Sequence, residues 1–308
     1  MGHTRTAVRG DAGYPPRLAA LRRPPERVFL EGPGDHDGPS IAIVGARAAT
    51  GDGLDVAREL AAALAARGVA VLSGLAHGID AAAHEGALDA GGRSGAVLGT
   101  PLGRVYPREH RALQARVARS LGLLSELPPG APATRGTFAA RNRLLAALSD
   151  AVILVQGRAG SGALNTVRAA LEIGRPVGAV PWDPRDEFGE APLALARARK
   201  AELIRDADDA MELLDPLGAA GRAPGADSGA SRREREESAA ALAAAIASLS
   251  PGEARLLAAL RHRREPLEAI ARRAAMPLPE AGAAFVALEI LDLARREPGG
   301  LVRRVRTG

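Results

Sequence analysis

From Ile41 onward the chain repeats one pattern: a short apolar run, a glycine turn, then a stretch with helical spacing. The runs are IAIV (41–44), VAVL (69–72), GAVL (95–98), GLLS (122–125), AVILV (151–155) and PVGAV (176–180). Between them apolar positions recur three or four apart, as at Leu54, Ala57, Leu60, Ala61 and Leu64. Continuous apolar runs alternating with helices specify a parallel sheet covered on both faces. The expected architecture over 41–215 is a doubly wound α/β domain. Its ligand belongs outside the C-terminal ends of the strands.

The flanks differ in character. Residues 1–40 are too few for a domain, and YPPRLAALRRPPERVFLEG reads as a lead-in packed on the main domain. The stretch 216–238 is rich in Gly, Ala, Ser and mixed charge without an apolar period, so it reads as a linker. Over 239–308 three helical patterns precede RREPGGLVRRV, an order that predicts a small winged-helix domain.

Charge narrows the partner. Arg and Lys total 41 against 36 Asp and Glu, and a single lysine, Lys200, stands among the cations. Guanidinium forks match phosphate oxygens, so a polyanionic ligand fits this composition. The absence of cysteine excludes disulfides, thiolate metal sites and thiol nucleophiles. No run of about 18 apolar residues occurs and the first residues lack a signal-peptide pattern, so the expected location is cytoplasmic, with no membrane partner.

The turn after the first run, GARAATGDG, places Arg47 where a dinucleotide fingerprint has its second glycine. The second run ends at Ser73 and Gly74, where a ribose-binding carboxylate is expected. A nicotinamide cofactor is therefore not expected. What remains is a helix N-terminus with free amides beside a guanidinium, a cradle for phosphate. A third turn, QGRAGSGAL, brings Ser161 and Gly162 to the same sheet edge. Phe138, Arg141, Asn142 and Arg143 cluster before the fifth run. Aromatic residues are scarce, and a phenylalanine among arginines can stack a base or simply fill the core. His77, Asp80 and His84 have a spacing compatible with a metal, but no supporting carboxylate is evident. Asp80 capping its turn and His84 bonding locally is the reading adopted, with no metal. No G-x-S-x-G elbow and no carboxylate pair beside a glycine turn is present, so no catalytic residue is assigned.

Taken together these residues resemble the DNA-processing protein A family (DprA, also called Smf). The matching stretches are YPPRL…PPERVFLEG, IVGAR, VLSGLAHGIDAAAHEGAL, AVLGTPLGRVYPREHRAL, LLSELPPGAP, F..RNRLLAALSDAVILV and SGALNTVRAALEIGRPVGAVP, in that order. The resemblance implies an extended Rossmann-like fold and a non-enzymatic, sequence-independent single-stranded DNA binder without cofactor. It further implies self-association, as a homodimer, and loading of RecA during natural transformation. Arg47, Phe138, Arg141 and Arg143 would line the basic pocket, with Ser73, Gly74, Ser161 and Gly162 donating to phosphates. His77 stands where many members carry arginine, so a contact there is expected to be weak or pH-dependent. WDPRDEFGEAPLALARARKAELI replaces the usual Gly/Ser-rich run near the self-associating end of the domain, and the N-terminal helical domain of many members is not expected here. Rival functions are a phosphoribohydrolase-like enzyme, disfavoured because GRAGSGALNTV lacks the signature glutamate, and a small-nucleotide sensor. In the winged helix, the third helix carries Glu280, Glu289 and Asp292, which suits protein contact better than base readout. Only Arg295, Arg296, Arg303 and Arg304 of the wing would offer electrostatic contacts.

Overall fold

The computed structural model describes residues 4–34, 38–214, 246–261, 265–291, 293–297 and 301–304. The chain divides into two compact units, Met1–Ala219 and Ala220–Gly308. The proposed linker over 216–238 lies outside the described residues.

In the first unit all six apolar runs are strands: β3 (Ser40–Val44), β4 (Ala70–Ser73), β5 (Ser94–Leu98), β6 (Gly122–Ser125), β7 (Ala151–Leu154) and β8 (Val177–Ala179). With β1 (Thr4–Val8), β2 (Arg27–Glu31) and β9 (Glu202–Leu203) they form one nine-stranded sheet in the order β1-β2-β6-β5-β4-β3-β7-β8-β9. Every pairing from β6 to β9 is parallel. The covering helices are α1 (Gly51–Ala66), α2 (Ile79–Asp89), α3 (Arg111–Ser120), α4 (Arg135–Leu148), α5 (Ala163–Glu172), α6 (Glu190–Arg197) and α7 (Ala207–Glu212).

Alternation along the strands divides the core between two faces. Ala42 and Val44 of β3, with Val152 and Leu154 of β7, join Leu144 and Leu145 of α4 and Val167 of α5. Ile41, Ile43, Ala151 and Ile153 meet Leu60 and Leu64 of α1 and Ile79 of α2. Because both faces are dry, these strands carry no polar alternation. Strand order reverses at β3, whose neighbours are β4 on one side and β7 on the other. The crevice between the ends of β3 and β7 is therefore the topological switch point.

The first forty residues correct the expectation of a lead-in packed on the domain. β1 and β2 are strands of the sheet itself, and β2 runs antiparallel to β6. Val28 and Leu30 alternate into the core and carry β2 across the end of the sheet, which spares β6 an open edge. A 3-10 turn at Pro16–Ala20 buries Leu18 and aims Arg17 at the start of β3. Arg17 donates to the Ser40 hydroxyl (2.6 Å), the Leu148 carbonyl (2.9 Å) and the Gly38 carbonyl (2.8 Å), and pairs with Asp150 at 3.0 Å.

The second unit contains α8 (Pro251–Ala259), β10 (Glu265–Pro266), α9 (Leu267–Arg273), α10 (Leu278–Ile290), β11 (Ala294–Glu297) and β12 (Leu301–Arg304). Its strands pair antiparallel in the order β10-β12-β11, and Leu256, Phe285 and Leu288 are fully buried among the helices. Ser250 and Glu253 cap α8 reciprocally. Glu280 pairs with Arg255 at 3.2 Å and Glu289 accepts from the Arg296 amide at 3.2 Å. These carboxylates serve contacts inside the module.

Arg17→Ala is expected to destabilise the protein by about 2 kcal/mol, because one substitution removes several charge-assisted hydrogen bonds between the N-terminal segment and β3. A denaturant midpoint unchanged from wild type refutes that role.

Candidate nucleic-acid interface

The first glycine turn leaves β3 at Gly45. A Cβ there would lie 2.6 Å from Ile79 Cγ1 and 2.9 Å from the Gln156 carbonyl oxygen, so only glycine lets the turn pack this closely. The Ala46 amide donates to the same Gln156 carbonyl at 2.8 Å, and Arg47 then emerges exposed at the switch point. The second turn closes against the first. Gly78 has φ +76°, and a side chain on it would collide with the Ala46 and Arg47 carbonyl oxygens. The third turn stays open: Gly160 has φ +78° with nothing near its Cβ position, and Ser161 and Gly162 lead into α5.

These turns border a groove of about 1040 Å³. Five arginines line it (Arg47, Arg104, Arg135, Arg141 and Arg158) against a single carboxylate, Asp80. Among the described residues no carboxylate pairs with Arg47, Arg104 or Arg135. Phe138 is half-buried, its ring centroid 5.0 Å from that of Tyr106, which is 47% exposed. The Arg47 guanidinium carbon lies 5.9 Å from the Phe138 ring centroid. Gly99 makes room for this arrangement, since a Cβ there would touch the Phe138 ring. Asn142 reaches across and donates to the Gly162 carbonyl at 3.2 Å.

The floor holds two opposite charges. Arg141 is buried and donates from Nη1 to the Val97 carbonyl at 2.5 Å. Its guanidinium occupies the space a side chain on Gly74 would fill. Asp80 is buried as well and accepts from the Gly74 amide (3.2 Å) and the Ala76 amide (3.4 Å). Burial raises the Asp80 pKa and the nearby Arg141 charge opposes that rise. Burial likewise lowers the pKa of Arg141, with Asp80 opposing and Arg47 adding to the fall. Arg141 Nε has no hydrogen-bond partner among the described residues.

Of the residues expected at the site, Arg47, Phe138, Arg141, Asn142, Ser161 and Gly162 line the groove together. The others require correction. Ser73 is fully buried and its hydroxyl donates to the Ile43 carbonyl at 2.6 Å, so it offers nothing to a phosphate. The Gly74 amide is taken by Asp80. His77 is exposed but turns its ring to His110, centroids 5.0 Å apart, outside the groove wall. Arg143 lies two residues beyond Arg141, about 200° around the helix. Both Glu126 carboxylate oxygens hold it, at 2.6 and 2.7 Å, beside a separate pocket of about 260 Å³. The start of α1 is not a free amide cradle either. Thr50 caps it by accepting from the Gly53 amide at 3.1 Å, and the Gln156 side chain donates to Thr50 Oγ1 at 2.8 Å.

His84 sits with no exposure, its Nδ1 2.8 Å from Ser94 Oγ. Ser94 gives its one hydroxyl proton to the Val71 carbonyl, so Nδ1 carries the ring proton and Nε2 is left without a partner. Burial drives the His84 pKa down to about 3. Sequence reasoning passed over Arg104, Tyr106, Arg135, Arg158 and Phe188. The signal available was aromatic scarcity: with two Tyr and four Phe in the chain, an Arg–Tyr pair such as 104–106 stands out.

The fold and groove define an α/β protein with an arginine-lined groove at the switch point of a parallel sheet, followed in the chain by a winged helix. Residues 5–215 match the family of DNA recombination-mediator protein A, and residues 240–300 match the DprA winged helix domain. The chain belongs to the DNA recombination-mediator protein A family. A relative from Mycobacterium tuberculosis is 44% identical over 179 residues, 58% of this chain and 46% of that protein, so the match spans about half of the relative's length. The crystal structure of DNA processing protein A from Streptococcus pneumoniae superposes with a TM-score of 0.65 at 33% identity, covering 68% of this chain and 73% of that one. DNA processing protein A from Helicobacter pylori, whose structure was described for its single-stranded DNA binding mode, gives a TM-score of 0.62 at 27% identity, covering 70% and 98%.

The buried neutral His84 sets a pH dependence. Below its ordinary pKa of 6.5 the unfolded chain takes up a proton that the folded one refuses down to about 3, so stability falls as pH falls through that window. Between pH 7 and pH 5 this amounts to about 2 kcal/mol. Denaturant titrations at the two pH values should show that difference shrink by this amount in His84→Gln. Equal pH dependence in variant and wild type contradicts the assignment.

Proposed function

We propose that the protein binds single-stranded DNA without regard to sequence and acts as a recombination mediator, loading RecA onto the strand during DNA uptake in natural transformation. It does so in the cytoplasm as a homodimer, and it binds the strand without chemically altering it. The observation that carries the proposal is the groove, where Arg47, Arg104 and Arg135 are exposed and have no carboxylate partner among the described residues, beside the half-exposed Tyr106–Phe138 pair.

Each part of the groove suits one part of a nucleotide. Guanidinium groups of Arg47, Arg104 and Arg135 match phosphate oxygens and read no base. The open turn Gly160–Gly162 at the start of α5, whose Ser161 amide is bonded to the Arg158 carbonyl, offers the Gly160 and Gly162 amides as a second anion-directed element. Tyr106 and Phe138 present π-faces that a duplex, with its bases already stacked, cannot use. Asp80, the sole acid of the lining, is buried beneath Arg141 and opposes an incoming phosphate weakly.

Affinity for an oligonucleotide should therefore fall steeply with salt, and duplex should compete poorly. Arg47→Ala or Arg104→Ala is expected to weaken all sequences alike and to flatten the log–log salt slope by about 0.7 each. Arg143→Ala, by contrast, should leave the slope unchanged while lowering stability through loss of the Glu126 pair. Fluorescence-anisotropy titrations over a salt series, with duplex as competitor, measure all of these. Equal competition by duplex, or an Arg143 effect as large as that of Arg47, overturns the assignment.

A further inference from the structure

The groove has a second arginine-on-phenylalanine couple, whose arginine stands in the third glycine turn and whose phenylalanine comes from a stretch outside all three turns. Phe188 lies in the 3-10 turn Glu187–Gly189, half-buried against the groove. The Arg158 guanidinium carbon sits 4.7 Å from its ring centroid, and Glu187 pairs with the same guanidinium. Backbone bonds stitch this stretch to the open glycine turn: the Gly157 amide donates to the Phe188 carbonyl at 2.7 Å and the Ala191 amide to the Gly157 carbonyl at 2.9 Å. The Ala159 amide donates to the Glu190 carboxylate at 2.9 Å, and Trp182 Nε1 to the Val155 carbonyl at 2.5 Å.

The two couples differ in charge. Arg47 meets no carboxylate among the described residues, so its full charge is available to a phosphate. Arg158 has its charge answered by Glu187 and its plane supported by Phe188, which makes it a poor phosphate ligand and a good flat surface. A volume of about 1040 Å³ also reaches the upper limit of pockets that enclose one drug-sized molecule, more than a lone nucleotide fills.

We propose that Arg158, held flat by Phe188 and Glu187, is a stacking platform for a base of the bound strand, separate from the Tyr106–Phe138 pair. The groove then seats at least two nucleotides of one strand. This inference rests on the single-strand reading above and adds to it a base contact that does not depend on charge.

The test compares full-length protein binding to an oligothymidylate of about ten nucleotides, a length within the usual site sizes of single-strand binders, and to the same backbone without bases. Phe188→Leu and Arg158→Ala should weaken the base-bearing strand roughly tenfold, at low and high salt alike, with abasic binding near wild type. Arg158→Lys keeps the charge and loses the plane, so it should show the same loss. Wild-type affinity in Arg158→Lys, or an equal loss of abasic binding in Phe188→Leu, overturns the platform. Wild-type protein that binds neither strand overturns the single-strand reading itself. Binding that depends on Arg47 but ignores Phe188 overturns only the platform.

Discussion

The buried guanidinium of Arg141 organises the binding domain. A charge so enclosed is tolerable only where fixed partners replace its water. The Val97 carbonyl at the end of β5 supplies one, and the Asp80 carboxylate at the start of α2 answers the charge from nearby. The guanidinium passes where Gly74 has no side chain, so α4, strand β5 and the turn after β4 are tied at one point. α4 is thereby locked in rotation. Phe138, three residues earlier, is held at the groove rim, Asn142 faces the third glycine turn, and Arg143 is carried round to the opposite side.

That rotation marks the limit of what the sequence disclosed. The six parallel strands were legible because burial on both faces makes them continuous apolar runs. The winged-helix order was legible from three helical patterns and a wing turn. β1 and β2 were not, since each is a five-residue antiparallel strand and the pair joins the sheet only through β6, far along the chain. At the site, Arg47 could be placed because its turn leaves the tip of an identifiable strand. Arg141 and Arg143 could not be told apart: both flank Asn142 on one helix, and which of them meets the groove depends on how α4 docks. Ser73 looked available at a strand end, yet its hydroxyl caps the neighbouring strand through the Ile43 carbonyl. Phe188 lay in a stretch noted only as unusual, and nothing local to it signals that its backbone bonds return it to Gly157.

Arginine content alone would have misjudged the electrostatics. Many guanidinium groups are committed to internal work: Arg17 to the start of β3, Arg143 to Glu126, Arg58 to Asp55 and Glu85. Net charge counts these equally with Arg47, Arg104 and Arg135, although a paired cation attracts a distant anion far less. Among the described residues Arg47, Arg104 and Arg135 have no carboxylate paired with them, and all three line the groove where the sheet reverses its order.

The groove wall is assembled from six stretches of chain, running from the turn after β3 through Ala76 and Asp80, Arg104 and Tyr106, α4 and the turn after β7 to Phe188. They belong to both halves of the doubly wound sheet, which meet at β3 and β7. A polyanion bound there would act as a suture across that seam, because its contacts come from both halves. Occupancy by the proposed strand would then add RT ln(1 + [L]/Kd) to the domain's resistance to unfolding.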